Sequence, residues 1–225
     1  MDINEAIRTR RSIRRYKPDP VSRGVLAEIV ETCRWAGSAM NTQPWEFAIL
    51  GGEVMKELKN RLFEKLESRA PEELEFSNGM PLPELYSQRA AENRAASDGY
   101  HFPPGTESVE EKKRAHFMIG ARVHEAPNAI IIYTDKHVLN WPWGLISMGI
   151  MVQTVCLAAL AHGLGTCVMG GPVARPNVLR ELLGIPQSKA ILNAIAIGYP
   201  DFEARINNFP RPRVPLESWV HWHGF

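Results

Sequence analysis

Three short stretches of this chain hold side chains suited to one kind of ligand. The first is Arg10, Arg11, Ser12 and Arg14, in a turn after a helical run. A guanidinium fork matches a phosphate, and a serine hydroxyl adds a neutral hydrogen bond. The same run also reads as a solvated basic surface or a nucleic-acid patch. The second stretch is Ser38-Ala39-Met40-Asn41-Thr42-Gln43-Pro44-Trp45. Small residues let the backbone approach a flat ligand closely, and Asn41 and Gln43 both donate and accept, as a heteroaromatic edge requires. Its plainer reading is a helix-to-strand loop with a turn-forming proline. The third is Pro210-Arg211-Pro212-Arg213, two arginines on a stiff segment able to close on a phosphate from a distance. A disordered basic tail is the alternative. Trp219, Trp222 and Phe225 argue against it, because that much aromatic surface should be docked.

The elements that must position these stretches follow from periodicity and punctuation. Helical spacing predicts a short helix over residues 3–10 with Asp2 as its cap, and a second from Ser22 to Cys33 with Gly37 beyond its end. A third helix spans about Glu53 to Ser68. Strands are expected at Trp45 to Leu50, Ala129 to Thr134, Gly165 to Gly171 and Ala190 to Pro200. A helix at Val178 to Leu183 ends on Gly184. Residues 69–116 read as a lid-like insertion, broken by Pro71, Pro81, Pro83, Pro103 and Pro104, with a short helix from Leu82 to Ala96 and another from Val109 to Val123. Residues 201–225 form an extended arm, since Pro210, Pro212 and Pro215 cannot continue a sheet interior. The fold class is α+β, a sheet covered by helices, in a single domain over residues 1–225.

The bulk numbers exclude several classes. With 225 residues, 44% hydrophobic and 23% charged, the chain can bury a sizeable core. A formal net charge of +1 provides no global field toward nucleic acid or anionic membrane. The N-terminus lacks an apolar signal region. Cys33, Cys156 and Cys167 match no zinc or redox spacing, which suggests buried thiols in a reducing cytoplasm. No Asp, Glu, Lys or Arg lies between Lys136 and Arg175, and Gly144 to Gly163 approaches membrane-span length. Ser147, Gln153, Thr154 and His162 interrupt it, and no basic flank follows, so a helix at the centre of a dimer interface is expected instead. The glycines of His162 to Gly171 fail the dinucleotide fingerprint, since Val168 occupies the third glycine position and a helix precedes a strand. No histidine spacing marks a metal site.

Taken in order, R-R-S-I-R, N-T-Q-P-W-E-F, G-T-C-V-M-G-G and P-R-P-R resemble the FMN-dependent nitroreductase family over nearly the whole chain. The resemblance implies a central, mostly antiparallel sheet flanked by helices in an intertwined homodimer, with FMN sites built from both subunits and C-terminal arms that wrap the partner. It implies that Arg10, Arg211 and Arg213 bind the FMN phosphate, that Arg11 and Ser12 hold the phosphate and ribityl chain, and that Arg14 faces the pyrimidine edge. It implies that Ser38, Ala39, Met40, Asn41 and Gln43 reach the flavin from the partner, while Met169, Gly170 and Gly171 lie beside the isoalloxazine. The chain departs from the family pattern at Gly37 and at Ile146-Ser147-Met148, and no mid-chain flavin contact stands out within residues 68–116.

The implied activity is hydride transfer from NAD(P)H to a nitroaromatic, quinone or activated alkene by a ping-pong route, with no side chain assigned as catalytic acid or base. Reductive dehalogenation and a non-catalytic redox sensor are the alternatives. Trp141 and Trp143, with Phe76, Tyr86, Tyr100 and Phe102 of the insertion, are candidates to stack on the acceptor, or else simply cover the core.

Overall fold

The computed structural model describes residues 2–71, 73–75, 81–102 and 108–225. Phe76 lies outside them. The elements in chain order are α1 (Ile3–Thr9), α2 (Arg23–Cys33), β1 (Glu46–Leu50), α3 (Gly52–Glu67), α4 (Glu84–His101), α5 (Val109–Ala121), β2 (Asn128–Asp135), α6 (Pro142–Ala161), β3 (Gly165–Met169), α7 (Pro176–Leu183) and β4 (Lys189–Gly198). The four strands form one fully antiparallel sheet in the order β1-β2-β4-β3.

Alternation along the strands builds two cores. Ile130 and Ile132 of β2 point to the face covered by α2 and α6, among Leu26, Ile29, Met148, Met151 and Val155. Ala129 and Ile131 point to the other face, among Leu58 and Leu62 of α3 and Val178 and Leu179 of α7. The register slips between Ile132 and Tyr133, so β4 carries an extra residue there. Ala190 and Leu192 then share a face with Ile195 and Ile197, and the strand changes parity without exposing an apolar side chain.

Most of the expected elements are found within a residue or two. The Leu82 to Ala96 helix is longer than expected, continuing to His101, and the segment after α1 is not a free turn. Ser12 bridges Thr166 in parallel and Tyr16 bridges Pro200, so residues 12–17 lean on the free edge of β3 at one end and on the segment just after β4 at the other. Ile13 and Lys17 donate backbone hydrogen bonds to Thr166 and Tyr199, each at 2.9 Å. That contact places the basic stretch beside β3 and its glycines.

By length and composition α6 would suffice to cross a membrane, yet it forms a layer on the sheet. Gly144, Ser147, Met148, Met151, Val155, Cys156 and Ala159 are buried, while Trp143, Leu145, Ile146 and Ile150 are exposed. The single chain therefore covers only one side of this helix. The C-terminal aromatics are not docked on their own chain: Trp219 is 60% exposed, Trp222 70% and Phe225 fully.

The edge contact is tight. A Cβ on Gly165 would sit 2.5 Å from Cγ1 of Ile13, whose side chain is itself buried. Gly165→Ala is expected to destabilise the chain by roughly 1–3 kcal/mol through overpacking, seen as a lower urea midpoint with an unchanged denaturant slope.

Candidate functional site

Burial of one asparagine gathers the two ends of the chain. Asn207, fully buried, accepts from the Arg14 amide at 2.7 Å and donates to the carbonyls of Arg15 and Asp201 at 2.8 and 2.7 Å. The Asn207 carbonyl accepts from Arg11 at 3.4 Å. Three side-chain bonds to backbone satisfy a buried amide and lock the segment after β4 onto the segment after α1. Four residues on, Arg211 donates to the Ser12 carbonyl at 3.0 Å and lies 4.0 Å from the Phe209 ring centroid. Arg14 sits 5.7 Å from the same ring.

The result is a cluster of guanidiniums. Burial first, then the charges of Arg14, Arg11, Arg10 and Arg213, push the Arg211 pKa down to about 10. Among the described residues, none of these five arginines makes an ion pair. So many cations held together without a carboxylate repel one another, and an anion relieves them. The structure thus brings Arg10, Arg11, Ser12, Arg14 and Arg211 together, with Arg213 close behind. Buried Cys167 of β3 also lies near them: burial raises its pKa, while Arg14 and Arg211 pull it down.

Beside the cluster opens a cavity of about 600 Å³ whose lining includes Arg14, Leu62, Phe117, Met169, Gly170 and Gly171. Space around Gly170 is open, with nothing within 4 Å of where its Cβ would stand. Sequence reasoning missed the mid-chain wall of this cavity, formed by His116, Phe117 and Gly120 of α5 and by His124 after it. It also missed Asn207, since a lone asparagine among loop residues carries no periodic signal.

The histidines are closely packed. His101 stacks on His116 at 4.5 Å, and His116 pairs with Asp98 at 3.0 Å. Burial, then His116, Arg14 and Arg15, lower the His101 pKa to about 4, against a smaller upward pull from Asp98. Burial, then Arg14, His101, Arg15 and His116, lower that of His124 to about 3.

The loop from Ser38 to Gln43 lies elsewhere, and none of its residues lines the cavity in the same chain. It is fastened to α6: the Ala39 amide donates to Ser147 Oγ at 3.0 Å, and that hydroxyl donates to the Trp143 carbonyl at 2.8 Å. Met40, Asn41 and Gln43 all adopt positive φ, a conformation fixed in part by the Gln43 amide donating to Ser38 Oγ at 3.0 Å. Trp141 and Trp143 begin α6 beside this loop and do not line the cavity either. Of the insertion aromatics, Phe102 is buried, while Tyr86 and Tyr100 are exposed.

Comparison with known proteins gives one consistent picture. The pattern of the Nitroreductase family matches residues 7–199. A 4-nitrobenzoate reductase of Pseudomonas putida is 26% identical over 100% of this chain and 96% of its own length. A chloronitrobenzene nitroreductase of Comamonas testosteroni is 29% identical over 97% of this chain and 95% of its own. The solved structure of the FMN and NADPH-dependent nitroreductase NfnB from sphigopyxis sp. strain HMH superposes with a TM-score of 0.91 at 26% identity, covering both chains completely.

Two outcomes follow from the geometry. Asn207→Leu strands the Arg14 amide and two carbonyls, and is expected to cost roughly 2–4 kcal/mol of stability, measured by urea unfolding. His101 and His124 stay neutral in the fold but take up protons once unfolded, so stability present above the ordinary histidine pKa is lost as pH falls from about 6.5 toward their folded values of about 4 and about 3. Unfolding midpoints at pH 7.5 and 4.5 should differ less in His124→Phe than in the parent.

Proposed function

This chain belongs to the nitroreductase family, and on that premise we propose an FMN-dependent oxidoreductase that uses NAD(P)H to reduce nitroaromatic compounds, working as a cytoplasmic homodimer. The relatives' activities on nitroaromatics and the FMN and NADPH dependence of the matching structure support the chemistry. The observation that carries it is the set of five arginines, drawn from both ends of the chain, none of which makes an ion pair among the described residues.

The residues present fit FMN. A phosphate dianion neutralises the guanidinium cluster, and the adjoining cavity offers an open backbone at Gly170 to a planar ring. Bound FMN supplies the two-electron carrier between nicotinamide and acceptor. Arg10, Arg11, Arg211 and Arg213 hold the phosphate, and Ser12 adds its hydroxyl. Arg14, in the cavity wall, serves the pyrimidine edge, where fixed positive charge favours the reduced state by roughly 2–4 kcal/mol. Met169, Gly170 and Gly171 supply the backbone along the ring.

The remaining pieces call for a second copy. The outward face of α6 exposes Trp143, Leu145, Ile146 and Ile150, a continuous apolar surface that a lone soluble chain seldom leaves open. We place the partner's α6 there. Pairing brings the Ser38 to Gln43 loop of one copy, with Trp141 and Trp143 behind it, to the cavity of the other. The arm keeps to its own chain as far as Arg211, and we assign its later part, with Trp219, Trp222 and Phe225, to wrapping the partner. Three free, buried cysteines suit a reducing compartment.

The purified protein should be yellow and sediment as a dimer of the 25.3 kDa chain. Anaerobic addition of NADH or NADPH should bleach it, and a nitroaromatic should restore the colour. Steady-state plots at several acceptor concentrations should be parallel, as a ping-pong route requires. A yellow protein that neither nicotinamide bleaches would instead mark a flavin binder without turnover, and a colourless monomer that refuses FMN would end the reading.

A further inference from the structure

We infer that the cavity selects acceptors whose aromatic ring carries a carboxylate, and that Arg69 is the cation that pairs with it; this rests on the flavin reading above.

The described lining contains Arg14, Arg69, Arg175, His116 and His124 and no Asp or Glu. Most of these groups are already committed. Arg14 is assigned to the pyrimidine edge of the flavin. Arg175 donates to the carbonyls of Ala174 and Ala70, at 3.0 and 2.8 Å, and so buttresses the wall. His116 is held by Asp98, and burial among arginines keeps His124 neutral. Arg69 is different. Its side chain is exposed at the cavity and, among the described residues, makes no ion pair or side-chain hydrogen bond.

Its position is nevertheless fixed. The Arg69 amide donates to the Leu66 carbonyl at 3.0 Å as α3 ends, and the next carbonyl, that of Ala70, is the one Arg175 grips. Two acids of this segment among the described residues are engaged elsewhere: Glu67 pairs with Arg114 at 3.5 Å, and Glu73 accepts from Asn177. The rest of the wall is apolar, with Leu62, Leu66, Phe117, Ala121, Met169 and Ala174. An apolar slot whose rim carries a guanidinium with no partner among the described residues matches a flat ring bearing an anionic group. A phosphate of the nicotinamide dinucleotide is the other anion able to visit, and the test separates the two.

Arg69 has a positive φ of 52°, so Asn, which tolerates that conformation, is the neutral variant, and Lys retains the charge. Benzoate and benzamide, neither of which carries a nitro group, are titrated into the oxidised holoenzyme and followed by the flavin absorbance. The kcat/KM values for 4-nitrobenzoate and 4-nitrobenzamide are measured alongside those for NADPH and NADH. The parent should prefer the acid over the amide by roughly tenfold in both binding and kcat/KM, the size of a partly exposed charged hydrogen bond. Arg69→Asn should abolish the preference through the acid alone, and Arg69→Lys should keep part of it. Equal handling of acid and amide by the parent would overturn the inference, as would a preference that survives Arg69→Asn. So would a variant that alters only the NADPH to NADH ratio. A yellow, active enzyme indifferent to acceptor charge fails this inference alone, whereas a protein that never takes up flavin fails the reading beneath it.

Discussion

Everything at this site depends on holding like charges together. Five guanidiniums repel, and a free chain would let them drift apart. Asn207 prevents that by giving its whole side chain to backbone groups of residues 14, 15 and 201. Because it grips main chain and not side chain, it leaves the guanidiniums without a carboxylate partner among the described residues. The Phe209 ring then provides a surface on which Arg211 and Arg14 both rest, so the cations are spaced by an aromatic face instead of neutralised by a carboxylate. The repulsion is thus stored in a rigid frame and released by the ligand.

The sheet plays a second part in that frame. Its β3 edge is partly occupied by Ser12 and Ile13, which pair with Thr166 and bring the basic stretch beside the cavity. Gly165 makes the close approach possible, since any side chain there would meet Ile13. On the same strand the chain turns away at Gly170 and Gly171, leaving bare backbone where a flat molecule needs room. One edge strand therefore borders both the arginine cluster and the cavity.

How much of this was legible in the sequence depends on the kind of signal. The buried strands at Ala129 to Thr134 and Ala190 to Pro200 announced themselves through apolar runs, mostly isoleucine and alanine, interrupted in the second only by Asn193 before its glycine. Arginine spacing singled out residues that the fold does bring into one cluster, although the N-terminal run alone also read as a solvated basic surface. Asn207 was invisible, since its importance comes from three carbonyls and amides that only the fold brings near. The His116, Phe117 and His124 wall was equally hidden: α5 has weak apolar periodicity, and its cavity face is recognisable only beside β3. The bulge in β4 could not be foreseen either, because an apolar run on both faces reads the same in either register. The long central helix was expected at the centre of a dimer interface; its own chain covers one of its sides and leaves Trp143, Leu145, Ile146 and Ile150 exposed on the other.

The arginine cluster also sets how a ligand arrives. The molecule as a whole is close to neutral, at +1, so its far field is weak. Within a Debye length of about 8–10 Å, however, the cluster is a dense local source of positive charge, and an approaching anion feels it before it meets the cavity wall. Encounter is therefore governed by ionic strength, while residence is governed by the shape of the cavity, and the two can be tuned separately by changes at different ends of the same ligand.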